Sequence, residues 1–204
     1  MRIAIVPSCY SSPSVEPMTT PAAAPRPATV DDTLAIGSLV EASIRGFGAD
    51  FYDQDQLTSS LEHLYGIDQQ LIADGTYYVV ERDHEIVAAG GWSFRRTAYG
   101  GDQFADSRDA SRRDARLEPA AIRAFYVHPD HKRQGLGRLL HQTCEDAARE
   151  AGFRRLELLS TEMGAVFYRE LGYVMGETEH ADLPDGVKIP IIHMVKQIDV
   201  LPQP

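Results

Sequence analysis

The chain has 204 residues, 43% hydrophobic and 25% charged, with a net charge of −10 and an isoelectric point of about 5.1. These values suit a globular domain with a sizeable core. The acidity argues against nucleic acid or an anionic membrane as the main partner, but leaves a cationic amine open. The two cysteines suggest no disulfide framework, and no apolar run approaches the roughly 20 residues of a membrane helix.

Met1–Val6 begins like a signal peptide, but its apolar run is too short and Pro7 ends it. A cytoplasmic location is therefore expected. Residues 1–27 hold six of the twelve prolines and read as a disordered or extended tail, within which Met18 offers a second start. One domain is expected over 28–198, with a short tail at 199–204.

Arg26–Val30 reads as a first strand, with Asp31 or Asp32 as the N-cap of the helix that follows. Ile36, Leu39, Val40, Ile44 and Phe47 recur at helical spacing, and Gly46 and Gly48 close that helix. Leu57, Leu61, Leu64 and Tyr65 mark a second helix. A short third, Asp68–Ala73, ends at Gly75. Thr76–Glu81 and Glu85–Trp92 are strands of a hairpin around Arg82-Asp83-His84. Gly90-Gly91 reads as a bulge. The competing reading is backbone opened towards a ligand, with Trp92 as an apolar wall. Arg95–Glu118 carries six arginines and five acids with few apolar residues. It is expected to be a mobile, solvated insertion; a lid or a dimer contact are the alternatives.

The most informative stretch is Arg123–Gly152. Ala124–Val127 is a strand, stopped by Pro129. Lys132–Gly137 (K-R-Q-G-L-G) is a glycine turn. Leu136, Leu139, Leu140, Cys144, Ala147, Ala148 and Ala151 form one apolar helical stripe that ends at Gly152. The first N–H groups of such a helix have no partner within it, and the macrodipole adds about half a positive charge there. With Lys132, Arg133 and Arg138 nearby, this is an anion site suited to phosphate. It is not a P-loop, because Gly137-Arg138-Leu139 stands where Gly-Lys-Ser/Thr would. His128 and His131 straddle a strand end rather than a helix face, so no zinc or other metal is expected.

Arg155–Ser160 reads as a strand parallel to the previous one, joined by the crossover helix. Ser160 or Thr161 caps a further helix whose buried stripe is Met163, Val166, Phe167 and Leu171. Tyr168 lies at the edge of that stripe and can face a cleft. Pro184–Val195 supplies a turn and the last strand.

Two of these stretches resemble the GCN5-related N-acetyltransferases. That family has a strand ending hydrophobic-Val-His/Asn-Pro, followed by [Gln/Arg]-x-x-Gly-x-[Gly/Ala]. Here Val127-His128-Pro129 leads to Lys132-Arg133-Gln134-Gly135-Leu136-Gly137, with Lys132 in place of Gln or Arg. Ala165–Tyr173 is similar to the family's A-x-x-F-Y-x-x-x-G-[Phe/Tyr]. The likeness is strong over Ala120–Val174. It implies an α/β fold: a mixed, twisted sheet with helices on both faces and a splayed pair of central strands.

The resemblance also implies acetyl-CoA as cosubstrate. Its pantetheine would lie along Phe125, Tyr126 and Val127. Its pyrophosphate would meet Lys132, Arg133, Gln134, Gly135, Leu136, Gly137 and Arg138. Tyr168 stands where the family has its general acid. Glu41, Tyr52 and Tyr65 are candidates to line the acceptor site, and Tyr126 can point there instead, because strand residues alternate faces. The implied function is direct acetyl transfer to a primary amine of a small molecule or peptide. A non-catalytic acyl-CoA-binding sensor or interaction module is the alternative, and a homodimer is compatible. The base is open among Glu81, Glu157, Glu162, His193 and water.

Overall fold

A computed structural model of the chain describes residues 24–97 and 109–198. The expectations for most of the N-terminal tail, the centre of the insertion and the C-terminal tail fall outside those residues. In chain order the elements are β1 (Arg26–Pro27), α1 (Thr33–Gly48), α2 (Gln54–His63), α3 (Gln69–Ala73), β2 (Tyr77–Arg82), β3 (Glu85–Ser93) and β4 (Ala120–Val127). Then come α4 (Leu136–Glu150), β5 (Arg155–Thr161), α5 (Glu162–Glu170), β6 (Val174–Asp182) and β7 (Lys188–Gln197). The strands form one seven-stranded sheet in the order β1-β2-β3-β4-β5-β7-β6. β4 and β5 run parallel and the other neighbours antiparallel, so the sheet is mixed, as the sequence suggested.

Helices cover both faces. Ile36 and Ile44 of α1, Leu57 of α2 and Leu71 of α3 pack with Tyr77, Val79 and Ile189. On the other face Cys144 and Ala148 of α4 and Ala165 of α5 pack with Ile122, Leu156 and Met194. Leu136 and Leu140 start α4 against Val80, Val87 and Ala88. Each fully buried Leu or Ile contributes ~1.5–3 kcal/mol. That packing is what sustains α3, whose five residues are too few for a helix in isolation.

The first strand is shorter than expected. Only Arg26 and Pro27 pair with β2, and Val30–Asp32 turns into a 3-10 helix. The cause is Asp32: it stands at the N-cap position of α1, as expected, but its side chain closes the preceding turn instead of bonding into the helix. Its carboxylate accepts from the Thr29 N–H at 2.7 Å and from the Arg26 guanidinium at 2.8 Å. The Arg26 bond holds that carboxyl well below the usual range, against the opposing effect of burial. The hairpin turns as expected: Asp83 and His84 take φ of 50° and 66°, the left-handed pair that matches the twist of two strands. Trp92 is not a ligand wall. It is buried edge-on to Phe94 and Phe153, with centroids 5.9 and 6.0 Å away, in the core beneath α4.

The described flanks of the insertion are tied down by their arginines. Arg95 pairs backbone-to-backbone with Arg112 and binds Asp74, the C-cap of α3, through two bonds of 2.6 Å. Arg96 holds Glu118 at 2.7 Å, and Arg113 reaches Glu157 on β5 at 2.5 Å.

Candidate active site

The site starts from a defect in β4. Ala89 of β3 pairs with Tyr126 and Gly91 with Arg123, so two steps on β3 oppose three on β4. The irregularity expected at Gly90-Gly91 is there, but the extra residue belongs to β4. Ala124 carries it at φ 55°, and the Tyr77 hydroxyl donates to its carbonyl at 3.0 Å. Such a conformation costs an alanine about 1–3 kcal/mol, so the surroundings must impose it. The glycines make room. A Cβ on Gly90 would lie 2.8 Å from the Phe125 ring, and one on Gly91 2.7 Å from the Tyr77 ring.

The bulge bends β4 away from β5. The two strands pair only at Ala120–Leu156 and Ala121–Glu157, then separate. Beyond that point a cavity of about 660 Å³ opens between them. Phe125, Tyr126 and Val127 line it from β4, and Leu158 to Thr161 from β5. At one end stand Lys132, Arg133, Gly135, Leu136, Gly137 and Arg138; Met163, Phe167 and Tyr168 of α5 form a wall.

The cationic end is built by the turn into α4. Arg133 and Gly135 take φ of 61° and 80°, and Gly135 is the N-cap. Leu139 N–H is the first to bond back, to Gly135 O at 2.9 Å. The N–H groups of Leu136, Gly137 and Arg138 precede it and carry the positive end of the dipole. A Cβ on Gly135 would meet nothing within 4 Å, so a ligand can come close to this backbone. Gly137 is small for another reason: a Cβ there would sit 3.1 Å from the Phe167 ring, where α4 and α5 meet. Gln134, expected at the phosphate, does not line the cavity; its side-chain oxygen accepts from Arg82.

A long apolar gap leading to free N–H groups and three cations fits the shape and charge of an acyl-CoA, a thioester on a flexible arm ending in a diphosphate. Tyr168 is the one phenol on the α5 wall among the described residues. Its ring stacks edge-on with Phe125, Phe167 and Tyr173 at 6.4, 5.1 and 5.6 Å. Burial raises its pKa well above the ordinary phenol value, and Cys144 and Tyr126 add to this. Tyr126 faces the other way, towards α1–α3, edge-on to Tyr65 at 6.4 Å.

Of the acceptor candidates, Tyr65 lines the cavity. Tyr52 is buried in the core, and Glu41 is on the surface with Arg45 at 2.9 Å. Glu81 is held by Arg26 at 2.6 Å, and Glu162 is exposed in the first turn of α5. Glu157 and His193 line a second, adjoining cavity.

Sequence reasoning missed two buried polar groups. Arg123 and Asp68 form an ion pair at 2.7 Å, both side chains at most 5% exposed, beside the bulge. Beneath α4, His141 Nε2 meets the Tyr173 hydroxyl at 2.9 Å, and Glu145 binds Lys196 and Arg149 at 2.5 and 2.7 Å. Burial, helped by Lys196, pushes His141 down to about 4, so it is neutral at pH 7. Its four-residue spacing to Glu145, each of them next to a residue of the apolar stripe (Leu140 and Cys144), was the available signal.

The sequence profile of the family described as Acetyltransferase (GNAT) family matches residues 43–173. Similar solved structures include a GCN5-related N-acetyltransferase from Rhodopseudomonas palustris, with a TM-score of 0.66 and 19% identity over 88% of this chain and 98% of that one. The PaiA N-acetyltransferase of Thermoplasma acidophilum, in complex with coenzyme A, gives 0.56 and 11% over 88% and 100%. YncA of Salmonella typhimurium, with its cofactor acetyl-CoA, gives 0.55 and 19% over 88% and 96%. At such identities these likenesses speak for the fold. The profile spans the bulged strand, the glycine turn and Tyr168 alike, and by that match the chain belongs to the GNAT family of acetyltransferases.

Proposed function

We propose that the protein moves an acetyl group from acetyl-CoA directly to a primary amine of a small molecule or peptide. The observation that carries this reading is the convergence of the β4–β5 gap, the α4 N-terminus and Tyr168 on one cavity. Phe125, Tyr126 and Val127 present the unpaired part of β4 to the pantetheine arm, in the manner of an added strand. The N–H groups of Leu136–Arg138, with Lys132, Arg133 and Arg138, hold the pyrophosphate. Gln134 braces the turn through Arg82.

Acetyl-CoA supplies an activated thioester carbonyl. Tyr168 supplies the proton for the departing thiolate. An ordinary phenol near pKa ~10 gives its proton to a thiolate near ~8.5 at a cost of about 2 kcal/mol. Burial lifts the phenol, and it also destabilises the thiolate in the same apolar wall, so the gap between them need not widen. The acceptor arrives from the α1–α3 side, past Tyr65. The −10 charge of the chain favours a cationic amine over an anionic acceptor.

The test is thiol release from acetyl-CoA across a panel of amines, run on the wild type and on Tyr168→Phe. The reading expects release with at least one primary amine and a fall in kcat of about 100-fold in the variant, at unchanged CoA affinity. An unchanged kcat across pH removes Tyr168 as the acid. CoA binding without release for any amine would leave an acyl-CoA-binding module instead of an enzyme.

A further inference from the structure

A second cavity, of about 470 Å³, adjoins the first, and Leu158 and Leu159 border both. It lies where β4 and β5 are still paired, with Ala121, Glu157 and His193 in its walls. Strand alternation fixes its side of the sheet. Leu156 and Leu158 of β5, and Ile192 and Met194 of β7, point into the α4–α5 core. Glu157 and His193 therefore face the opposite side, where the acceptor enters. Leu159, the register partner of His193, packs towards α1–α3 as well.

The two polar side chains are not independent. Glu157 Oε2 lies 3.5 Å from His193 Nε2. Its other oxygen accepts from Arg113 Nη1 at 2.5 Å. Arg113 is nearly buried and fixed at both ends of its guanidinium, donating to the Arg95 and Pro119 carbonyls at 2.8 Å each. The result is a chain of arginine, carboxylate and imidazole in which only the imidazole is substantially open, its side chain 44% exposed. Its Nδ1 edge is turned to Gly176, where even a Cβ would remain 3.7 Å away. The other charged groups lining this cavity are Glu177 and Glu179 of β6, which suit an incoming ammonium.

We propose that His193 is the base of the transfer and that Glu157, clamped by Arg113, is its positioning residue. This rests on the transferase reading above and assigns the half of the chemistry that Tyr168 does not cover. An acceptor R–NH3+ in the second cavity loses one proton to His193, directly or through one water. The free amine then attacks the thioester carbonyl in the gap beside Leu158: the C–N bond forms, the C–S bond breaks, and Tyr168 gives its proton to the thiolate. The second proton of the attacking nitrogen restores the phenol, and the imidazolium returns its proton to solvent. One proton is released per amide formed, which balances R–NH3+ and thioester against amide and thiol. Acid and base thus act from opposite faces of the sheet.

Two small nucleophiles test this whatever the native acceptor is. Methylamine is an ammonium ion at neutral pH and needs a base; hydroxylamine is mostly neutral there and does not. Both are given at high concentration to the wild type, His193→Gln and Glu157→Gln, with acetyl-CoA saturating and thiol release above the enzyme-free rate followed. The expected result is a loss of about 100-fold with methylamine in His193→Gln, a smaller loss in Glu157→Gln, and near-wild-type rates with hydroxylamine in both. CoA affinity, measured by calorimetry on the same samples, stays within about twofold and shows that the fold is intact. Equal losses with both nucleophiles would make His193 merely structural. An undiminished methylamine rate in His193→Gln would place the base elsewhere. A wild type that turns over neither nucleophile strikes the transferase reading itself.

Discussion

β5 has two edges, and they are opposites. Towards β7 it is laddered at seven successive positions, from Arg155–Gln197 to Thr161–Ile191. Towards β4 it is paired at two. The residues of the strand are the same, so the difference lies in the neighbours. β7 is regular along that edge, whereas β4 carries Ala124 in a conformation its own side chain opposes. Unpaired main chain inside a protein is costly, and an open edge persists only when something else takes up its polar groups. The closed edge therefore holds the molecule together, and the open one is where we propose that a ligand binds.

The contrast can be broken from several sides. The largest effect is expected from Gly91→Val. Its Cβ would meet the Tyr77 ring at 2.7 Å and the Thr76 carbonyl at 2.8 Å, backbone that cannot give way. Overpacking of this kind should cost about 3 kcal/mol in urea unfolding. Gly176→Ala on the far side of the sheet, at 3.2 Å from the His193 carbonyl, should cost much less.

Next is the buried imidazole beneath α4. An unfolded histidine titrates near ~6.5, but His141 is held down to about 4. At neutral pH both states are uncharged there, so it has no effect on the balance. As the pH falls through 6.5 the unfolded chain takes up a proton that the folded one refuses, and stability is lost until about pH 4. The loss amounts to about 3 kcal/mol. His141→Gln should flatten that part of the stability–pH curve, and an unchanged acid slope would contradict the burial argument.

Gly137→Val should raise the Kd for CoA about 100-fold, because it pushes on Phe167 and covers an N–H at the head of α4. Its urea midpoint should move less than that of Gly91→Val. The smallest effect is expected from Tyr77→Phe, which removes one hydrogen bond to the bulge and costs about 1 kcal/mol. Because the bond holds the bulge that parts β4 from β5, the KM for acetyl-CoA should rise while the β5–β7 ladder keeps its amide protection.

Much of this was legible in the sequence. Leu136, Leu140, Cys144 and Ala148 of the α4 stripe and the K-R-Q-G-L-G turn are local patterns that survive folding, whereas Leu139 and Ala151, read into the same stripe, and Val166, read into that of α5, are exposed. Thr161 survives as a cap, accepting from Gly164 N–H at 3.3 Å. The bulge was placed on the wrong strand because Gly90-Gly91 is visible as letters, whereas the strain on Ala124 comes from Tyr77 across the sheet. Asp32, one of the two N-caps read for α1, does stand at that position, but its side chain is taken by Arg26 and the Thr29 N–H, which the letters alone do not reveal. The pairing of Glu157 with His193 and Arg113 joins three separate stretches, and no single-sequence period encodes it. Trp92 is a site wall only in the competing reading of Gly90-Gly91, and its burial against Phe153 decides against that reading.

The central claim is that the free edge of β4 and the head of α4 together receive an acyl-CoA. Backbone amide NMR of the full chain during a CoA titration tests it most directly. The account predicts saturable shifts and slowed exchange at Phe125–Val127 and Leu136–Arg138, with the Arg155–Thr161 ladder to β7 undisturbed. No change at those amides at millimolar CoA, or changes confined to other parts of the sheet, would contradict it.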